Sequence, residues 1–280
     1  MKNLSNKKEM IIGILGARSA LSKEFVKFYK KKIKIKIFKG DITNQNEVTS
    51  WLNKNYNLNV IINFAAITSK QYCQKNKKKA MNVNCKSVIQ LLHTLNNLKL
   101  SNFKYFLSIS TSHVFKPTNN ILKENSIKKP SNYYGITKLS LERFILKNHK
   151  KFNFTIGIAR IFNFFIKNSK KNFFINDVIR KLKNKSNIVK FSKVSTYRDY
   201  ISIYDINTAL YRMVNLNLKN DYNICSNNKI YLPDIISKLN TRFKNKKIIF
   251  DKNKSKNIIG SNIKLKNKGW SINKEFFNEI

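Results

Sequence analysis

A tyrosine and a lysine stand four apart in Tyr134-Gly135-Ile136-Thr137-Lys138, and the hydroxyl pair Ser110-Thr111 precedes them by about two dozen residues. On a helix, such a pair lies on one face, a single turn apart. An ammonium beside a phenol favours the phenolate, so a tyrosine whose free pKa is about 10 can exchange a proton near neutral pH. The Thr111 hydroxyl would hydrogen-bond the same substrate oxygen. Together these groups are acid/base equipment for interconverting a carbonyl and an alcohol. A lysine-rich chain also produces this spacing by chance, so its meaning depends on the elements around it.

Those elements alternate. Short apolar strands are expected at 10–15, 59–64, 104–109 and 155–161, with a lysine/apolar alternation at 34–38 that suits an edge strand. Helical patterns are expected at 21–30, 48–55, 78–97 and 133–149. Repeated strand–helix units predict an α/β protein, a Rossmann-type parallel sheet with helices on both faces. After about residue 163 the regularity declines, with turn-like pieces at 167–172 and 183–187. This predicts a domain at 1–163 and a smaller lobe at 164–280, some of whose segments return to the main domain.

The first strand runs into Leu15-Gly16-Ala17-Arg18-Ser19-Ala20-Leu21-Ser22. A dinucleotide turn needs small residues so that backbone can approach a pyrophosphate at a helix N-terminus. Gly16, Ser19 and Ser22 occupy the three positions; a register on Gly13 and Gly16 would begin inside the strand. An ordinary strand-to-helix turn is the alternative. Arg18 is placed to contact a 2′-phosphate or to lie in solvent, and Asp41 to meet adenine or to cap the helix that follows. The segment Ser110-Thr111-Ser112-His113 follows a strand expected to end at the carboxyl edge, where open α/β sheets place ligands. Such hydroxyls also serve as plain caps, but with the Tyr-Lys pair downstream the active-site reading is favoured. His113 is read as structural.

The net charge is +42, which would ordinarily suggest nucleic acid or an anionic membrane. Only seven of the 56 basic residues are arginine, and lysine, asparagine, isoleucine and phenylalanine are spread through the whole chain. That uniform bias resembles AT-rich codon usage more than a selected nucleic-acid surface, so no specific nucleic-acid partner is expected. Cys73, Cys85 and Cys225 show no metal-ligand spacing and read as buried thiols in a reducing cytoplasm. His93, His113 and His149 are isolated, so no metal is expected. The apolar run at 10–15 is too short for a signal-peptide core, and no stretch reaches transmembrane length, so membrane insertion is not expected.

In order along the chain come the Gly16 turn, Gly40-Asp41-Ile42-Thr43, Asn63-Phe64-Ala65-Ala66, Val83-Asn84, Ser110-Thr111 and the Tyr134–Lys138 run. Arg160-Ile161-Phe162-Asn163, Arg198-Asp199-Tyr200, Tyr222-Asn223-Ile224-Cys225-Ser226 and Gly269-Trp270 follow. This succession resembles the extended short-chain dehydrogenase/reductase family, the nucleotide-sugar epimerases, dehydratases and reductases, nearly end to end.

The resemblance implies an NAD(P)-dependent enzyme acting on a nucleotide sugar. It implies Thr111, Tyr134 and Lys138 as the catalytic set, with Lys138 also holding the nicotinamide ribose. Cofactor contacts are implied at Gly16, Arg18, Ser19, Leu21, Asp41, Ile42, Ala65 and Ala66, besides Tyr134 and Lys138. Substrate contacts are implied at Asn84, Ser112, Asn163 and Arg198. The last two match positions that meet the diphosphate, although Arg198 suits a carboxylate partner equally. Relatives often form homodimers through a helix bundle that includes the Tyr-Lys helix.

Sugar dehydratases of this family carry Glu, or Asp-Glu, directly after the catalytic threonine. Here Ser112 and His113 stand there, which argues against dehydration. Reduction of a nucleotide-activated 4-keto-6-deoxy sugar, by NADP or NAD with Arg18 leaning toward NADPH, is the leading expectation, in the service of surface-polysaccharide synthesis. The short path from 34–38 into Gly40-Asp41 resembles dTDP-4-dehydrorhamnose reductases, and the segments at 160–163 and 222–226 resemble GDP-4-keto-6-deoxy-mannose reductases. A 4-epimerase with tightly bound NAD and a non-catalytic nucleotide-sugar binding protein are the alternatives.

Overall fold

The structure, a computed structural model, describes residues 9–166, 174–243, 245–251, 256–274 and 276. The basic N-terminal stretch through residue 8 and the turn-like piece at 167–172 lie outside the described residues. Ten strands are described: β1 (Ile11–Leu15), β2 (Lys34–Ile37), β3 (Val60–Asn63), β4 (Tyr105–Thr111), β5 (Thr155–Ile161), β6 (Ile188–Phe191), β7 (Tyr197–Arg198), β8 (Asn220–Ile224), β9 (Ile230–Tyr231) and β10 (Lys247–Phe250). The described α-helices are α1 (Ala20–Tyr29), α2 (Gln45–Lys54), α3 (Lys70–Lys75), α4 (Lys77–Met81), α5 (Ser87–Leu98), α6 (Tyr133–Asn148), α7 (Phe174–Leu182), α8 (Ile203–Asn215), α9 (Leu232–Asn240) and α10 (Ile263–Lys266).

The main sheet has the order β2-β1-β3-β4-β5-β8, with β1 parallel to both neighbours and β3 parallel to β4. This is the expected Rossmann-type sheet flanked by helices. Every residue of β1 and β3 is buried, as central parallel strands covered on both faces require. The alternating β2 lies at the edge, where its lysines reach solvent. Strand order reverses between β1 and β3, so the crevice beyond their carboxyl ends is the topological switch point.

Two compact units divide the chain. The first combines residues up to Ser110 with Asn132–Ala159 and Leu210–Asp221. Its core joins Leu15, Val48, Leu52, Ile61, Leu91, Phe106, Leu141 and Ile158. α1 contributes Leu21, Phe25 and Tyr29, recurring every four residues along one face. The late segment is tied in by the Tyr105 hydroxyl, which donates to the Leu218 carbonyl at 2.9 Å, and by Tyr211 stacked on Tyr29 at 4.8 Å. The helix expected at 78–97 is broken: α4 passes through a π-helical turn at Asn82–Lys86 before α5 begins. The Ser87 hydroxyl donates to the Asn82 and Val83 carbonyls and so occupies oxygens that the widened turn displaces from regular α pairing.

The second unit combines Thr111–Ser131, Arg160–Ala209 and the chain from Tyr222 onward. α7 and α9 pack Ile175, Val178 and Leu182 with Ile235, Ile236 and Leu239 over Val189 and Phe191. Its polar hub is Asp199, which is fully buried. One carboxylate oxygen accepts from Ser226 N and Oγ at 2.7 and 2.8 Å, the other from Asn227 N at 2.9 Å and Gly260 N at 3.2 Å. Burial outweighs these donors and raises its pKa to about 6.

Asp199→Ala is expected to lower the free energy of unfolding by about 3 kcal/mol or more, since each buried donor left without an acceptor costs roughly 1–3 kcal/mol. Urea denaturation measures it, and a loss below about 1 kcal/mol would show that the donors find other partners. Gly16→Ala is expected to cost more than about 1 kcal/mol in the same experiment, because its backbone conformation and surroundings both exclude a side chain.

Candidate active site

The first unit assembles the dinucleotide turn. β1 ends at Leu15, and Gly16 has φ +82°, a conformation that L side chains rarely adopt. A Cβ on Gly16 would stand 2.4 Å from the Ala65 amide nitrogen and 2.6 Å from the Phe64 carbonyl carbon. Ser19 N donates to Gly16 O at 2.8 Å and closes the turn, while Gly13 lies inside β1. Ser19 is the N-cap of α1 without a side-chain capping bond, and no acidic residue occupies the first turn. That leaves the positive end of a ten-residue helix without a carboxylate partner, which fits a pyrophosphate. Leu21 is buried at the start of α1, and Ala65 and Ala66 are half-buried after β3.

Asp41 is exposed, and its Oδ1 accepts from Thr43 N and Oγ1, both at 2.9 Å. These bonds hold its carboxyl below the usual carboxylate range, with smaller help from the charges of Lys79 and Arg18. The capping alternative falls to a neighbour: Asn44 is the N-cap of α2 and accepts from Asn46 N and Glu47 N. Ile42 is buried beneath this turn. Arg18 is exposed, and the charge coupling of Arg18 and Lys79 to Asp41 gathers two cations around one carboxylate.

Tyr134 and Lys138 sit one turn apart on α6, which Asn132 caps by accepting from Gly135 N at 3.0 Å. α3, α4, the π-helical turn and α5 all pack on α6. This cover explains why Thr137, Lys138 and Glu142 are buried although they are polar. Burial lowers the pKa of Lys138 to about 8, with the charges of Glu142 and then Cys85 opposing the shift. Ser110 Oγ donates to Glu142 Oε1 at 2.5 Å.

Asn84, expected at the substrate, is buried and clamps two segments. Its Oδ1 accepts from Ile67 N at 2.7 Å, and its Nδ2 donates to Ile67 O at 2.9 Å and to Thr137 Oγ1 at 3.0 Å. The π-helical turn orients that side chain so that the loop after β3 is pinned to α6.

The second unit holds the other expected residues. Thr111 is buried and caps a 3-10 turn at Ser112–Val114, its Oγ1 accepting from His113 N at 3.3 Å. Ser112 is buried in that turn. Asn163 lies beside the backbone that follows Arg198. Asn163 Nδ2 donates to Asp199 O at 2.8 Å, and Asn163 bridges in parallel to Tyr200. Arg198 Nη1 donates to neutral oxygens: Thr196 Oγ1 at 2.5 Å, Tyr197 O at 2.8 Å and Lys256 O at 3.0 Å. These bonds set the guanidinium without neutralising its charge. Among the described residues, no group of three or more His, Cys, Asp and Glu side chains is placed to hold a metal ion.

Two contributors escaped the sequence reading. Glu142 follows Lys138 by four residues, the same spacing that singles out Tyr134 and Lys138, and that repeat was its signal. Lys79 stands among Lys77 and Lys78 and carried no signal, because only the fold shows which lysine meets Asp41.

A curated relative, GDP-6-deoxy-D-talose 4-dehydrogenase of Aggregatibacter actinomycetemcomitans, is 24% identical over 225 residues, spanning 78% of this chain and 74% of its own. The structure of RMD from Pseudomonas aeruginosa complexed with NADPH superposes with TM-score 0.83 at 19% identity, covering 95% of both chains. Thermus thermophilus UDP-glucose 4-epimerase with NAD gives 0.82 at 14% identity, again over 95% of both. Likenesses this distant establish the fold, and no helix among the described residues is long and apolar enough to cross a membrane. The sequence pattern of the NAD dependent epimerase/dehydratase family matches residues 4–225, and the chain belongs to that family.

Proposed function

We propose that this NAD(P)-dependent nucleotide-sugar enzyme reduces the ketone of a nucleotide-activated 4-keto-6-deoxy sugar to the 4-hydroxy sugar, a precursor for surface polysaccharide. The observation that carries the reading is the buried Lys138 one turn from Tyr134 on α6, in a chain where Ser112 and His113, not carboxylates, follow Thr111. When bound, a reduced nicotinamide supplies the hydride. Tyr134 gives its phenolic proton to the oxygen of the forming alcohol. The Lys138 ammonium stabilises the phenolate left behind and holds the nicotinamide ribose. Thr111 orients the reacting oxygen, and elimination of water has no carboxylate to serve it.

Asn163 and Arg198 fit the sugar-nucleotide diphosphate, which gives the second unit a substrate-binding role. Gly16 and the α1 N-terminus fit the cofactor pyrophosphate. NADPH is the favoured reductant. The edge strand β2 and its exit carry lysines and no carboxylate before Asp41, and Asp41 is closed on Thr43, while Arg18 and Lys79 lie about it. An acidic group there would select the ribose 2′-hydroxyl, whereas a guanidinium suits a 2′-phosphate. The free, buried Cys73, Cys85 and Cys225 support a reducing, cytoplasmic setting.

Purified protein incubated with NADPH and either GDP- or dTDP-4-keto-6-deoxyhexose is expected to oxidise the cofactor stoichiometrically, read by nicotinamide absorbance. Interconversion of 4-epimers on co-purified NAD⁺ without net consumption would identify an epimerase instead. Cofactor binding with no turnover on a broad sugar panel would leave a binding protein. Tyr134→Phe is expected to lower kcat by ~10²–10⁴-fold, and a fully active variant would remove the tyrosine from the reaction. Arg18→Ala is expected to erode the preference for NADPH over NADH by about tenfold, the effect of losing one charged phosphate contact. An unchanged ratio of kcat/KM for the two cofactors would place the 2′-phosphate elsewhere.

A further inference from the structure

Tyr134, Lys138 and Glu142 recur every four residues and form one stripe along α6. Both charged members are nearly inaccessible, Lys138 at 3% and Glu142 at 2% exposure. A buried ammonium without an anion sheds its proton, and a neutral amine cannot hold a phenolate. Two groups oppose that loss at Lys138, Glu142 first and Cys85 second. Burial pushes the Cys85 thiol upward, so near neutral pH it is uncharged and contributes no anion. The remaining candidate is Glu142. The hydroxyl of Ser110 donates to its Oε1 at 2.5 Å, a bond that orients the carboxyl group and ties α6 to the end of β4.

The other elements packed on α6 place their charges differently. α4 brings Lys77 over the Tyr133 ring at 5.7 Å, and the π-helical turn brings Lys86 toward Cys85. α5 sets the His93 ring against Phe144, beyond Glu142 along α6.

We propose that Glu142, oriented by Ser110, is the counter-ion that keeps Lys138 protonated, and so a positioning residue that acts on Tyr134 and on the cofactor through the lysine. The inference rests on the reading of Tyr134 and Lys138 as the acid/base pair. Its test needs no sugar, so failure to find a substrate leaves it readable.

NADPH affinity is titrated against pH by nicotinamide fluorescence in the full-length protein. Burial places the Lys138 transition near pH 8, and affinity is expected to weaken as pH rises through it. Glu142→Gln keeps an oxygen for Ser110 and removes the charge, so the midpoint is expected to move about one unit or more to the acid side. Glu142→Asp, which retracts the carboxylate by one methylene, is expected to move it the same way by less. A purely structural role would weaken binding at all pH values and leave the midpoint in place. An unmoved midpoint in folded Glu142→Gln, or a wild-type affinity with no alkaline limb, overturns the proposal. If Glu142→Gln does not fold, Glu142→Asp decides by the same criterion. Absence of NADPH binding by the wild-type protein overturns both this proposal and the reading beneath it.

Discussion

Two backbone segments share the space beside Gly16: the turn that leaves β1 and the chain that leaves β3. A Cβ at this point would overlap the Ala65 amide, so the crossing exists because Gly16 has none. Much of the first unit depends on that approach. It lets two fully buried parallel strands end side by side where the strand order reverses, and it aims the α1 N-terminus across their ends. Ser19 can stand where relatives of such turns carry glycine because the crowding falls on Gly16. At Ser19 the chain needs a cap with extended backbone, which serine adopts without strain.

Covering a parallel sheet on both faces has a second consequence. α6 is packed by four other elements, so its polar residues are taken from water along with its apolar ones. Each buried polar group then needs a partner, and the fold supplies them in sequence. Thr137 donates to Tyr134 O and accepts from Asn84, Asn84 holds Ile67, and Ser110 holds Glu142. The π-helical turn belongs to this arrangement, because it places Asn84 between α6 and the loop after β3. The network that satisfies buried polarity is also the one that fixes the Tyr-Lys face.

The strand–helix alternation was legible because burial on two faces forces near-continuous apolar runs such as Val60–Asn63, and the edge strand betrayed itself by its lysines. The turns were far less legible. Left-handed backbone is adopted at Lys99, Lys193, Asn217, Asn220, Asn227 and Asn245, positions where glycine would have punctuated the sequence. Asparagine tolerates that conformation, so a chain with seven glycines builds its turns from a residue it also uses everywhere else. α3 was missed for a similar reason: a six-residue helix capped by Ser69 is too short to show a period. The helix at 78–97 read as continuous because a π-helical turn leaves the composition helical. At the site, the residue types on the Gly16 turn and on α6 could be read in advance. The backbone clamp made by Asn84 was not legible, since a buried amide that holds backbone and one that meets a ligand look alike in sequence.

The charge of this chain divides into a bias and a choice. Lysine is so abundant that no single one is informative before the fold is known. Arginine is scarce, and at two positions its planar fork is used in ways an ammonium cannot match. Arg160 is fully buried, donating through Nη1 to the Glu124 carbonyl while its guanidinium lies over the Phe115 ring at 5.1 Å. Arg198 reaches three oxygens through one nitrogen. A composition that drifts toward lysine would replace these two first if a point charge sufficed. The same argument applies at the exposed Arg18, which neither packing nor burial retains. On the proposed reading, what keeps arginine there is a phosphate at the end of the cofactor, which offers paired oxygens to the planar fork. The surrounding lysines contribute only the diffuse field that draws any phosphate toward it.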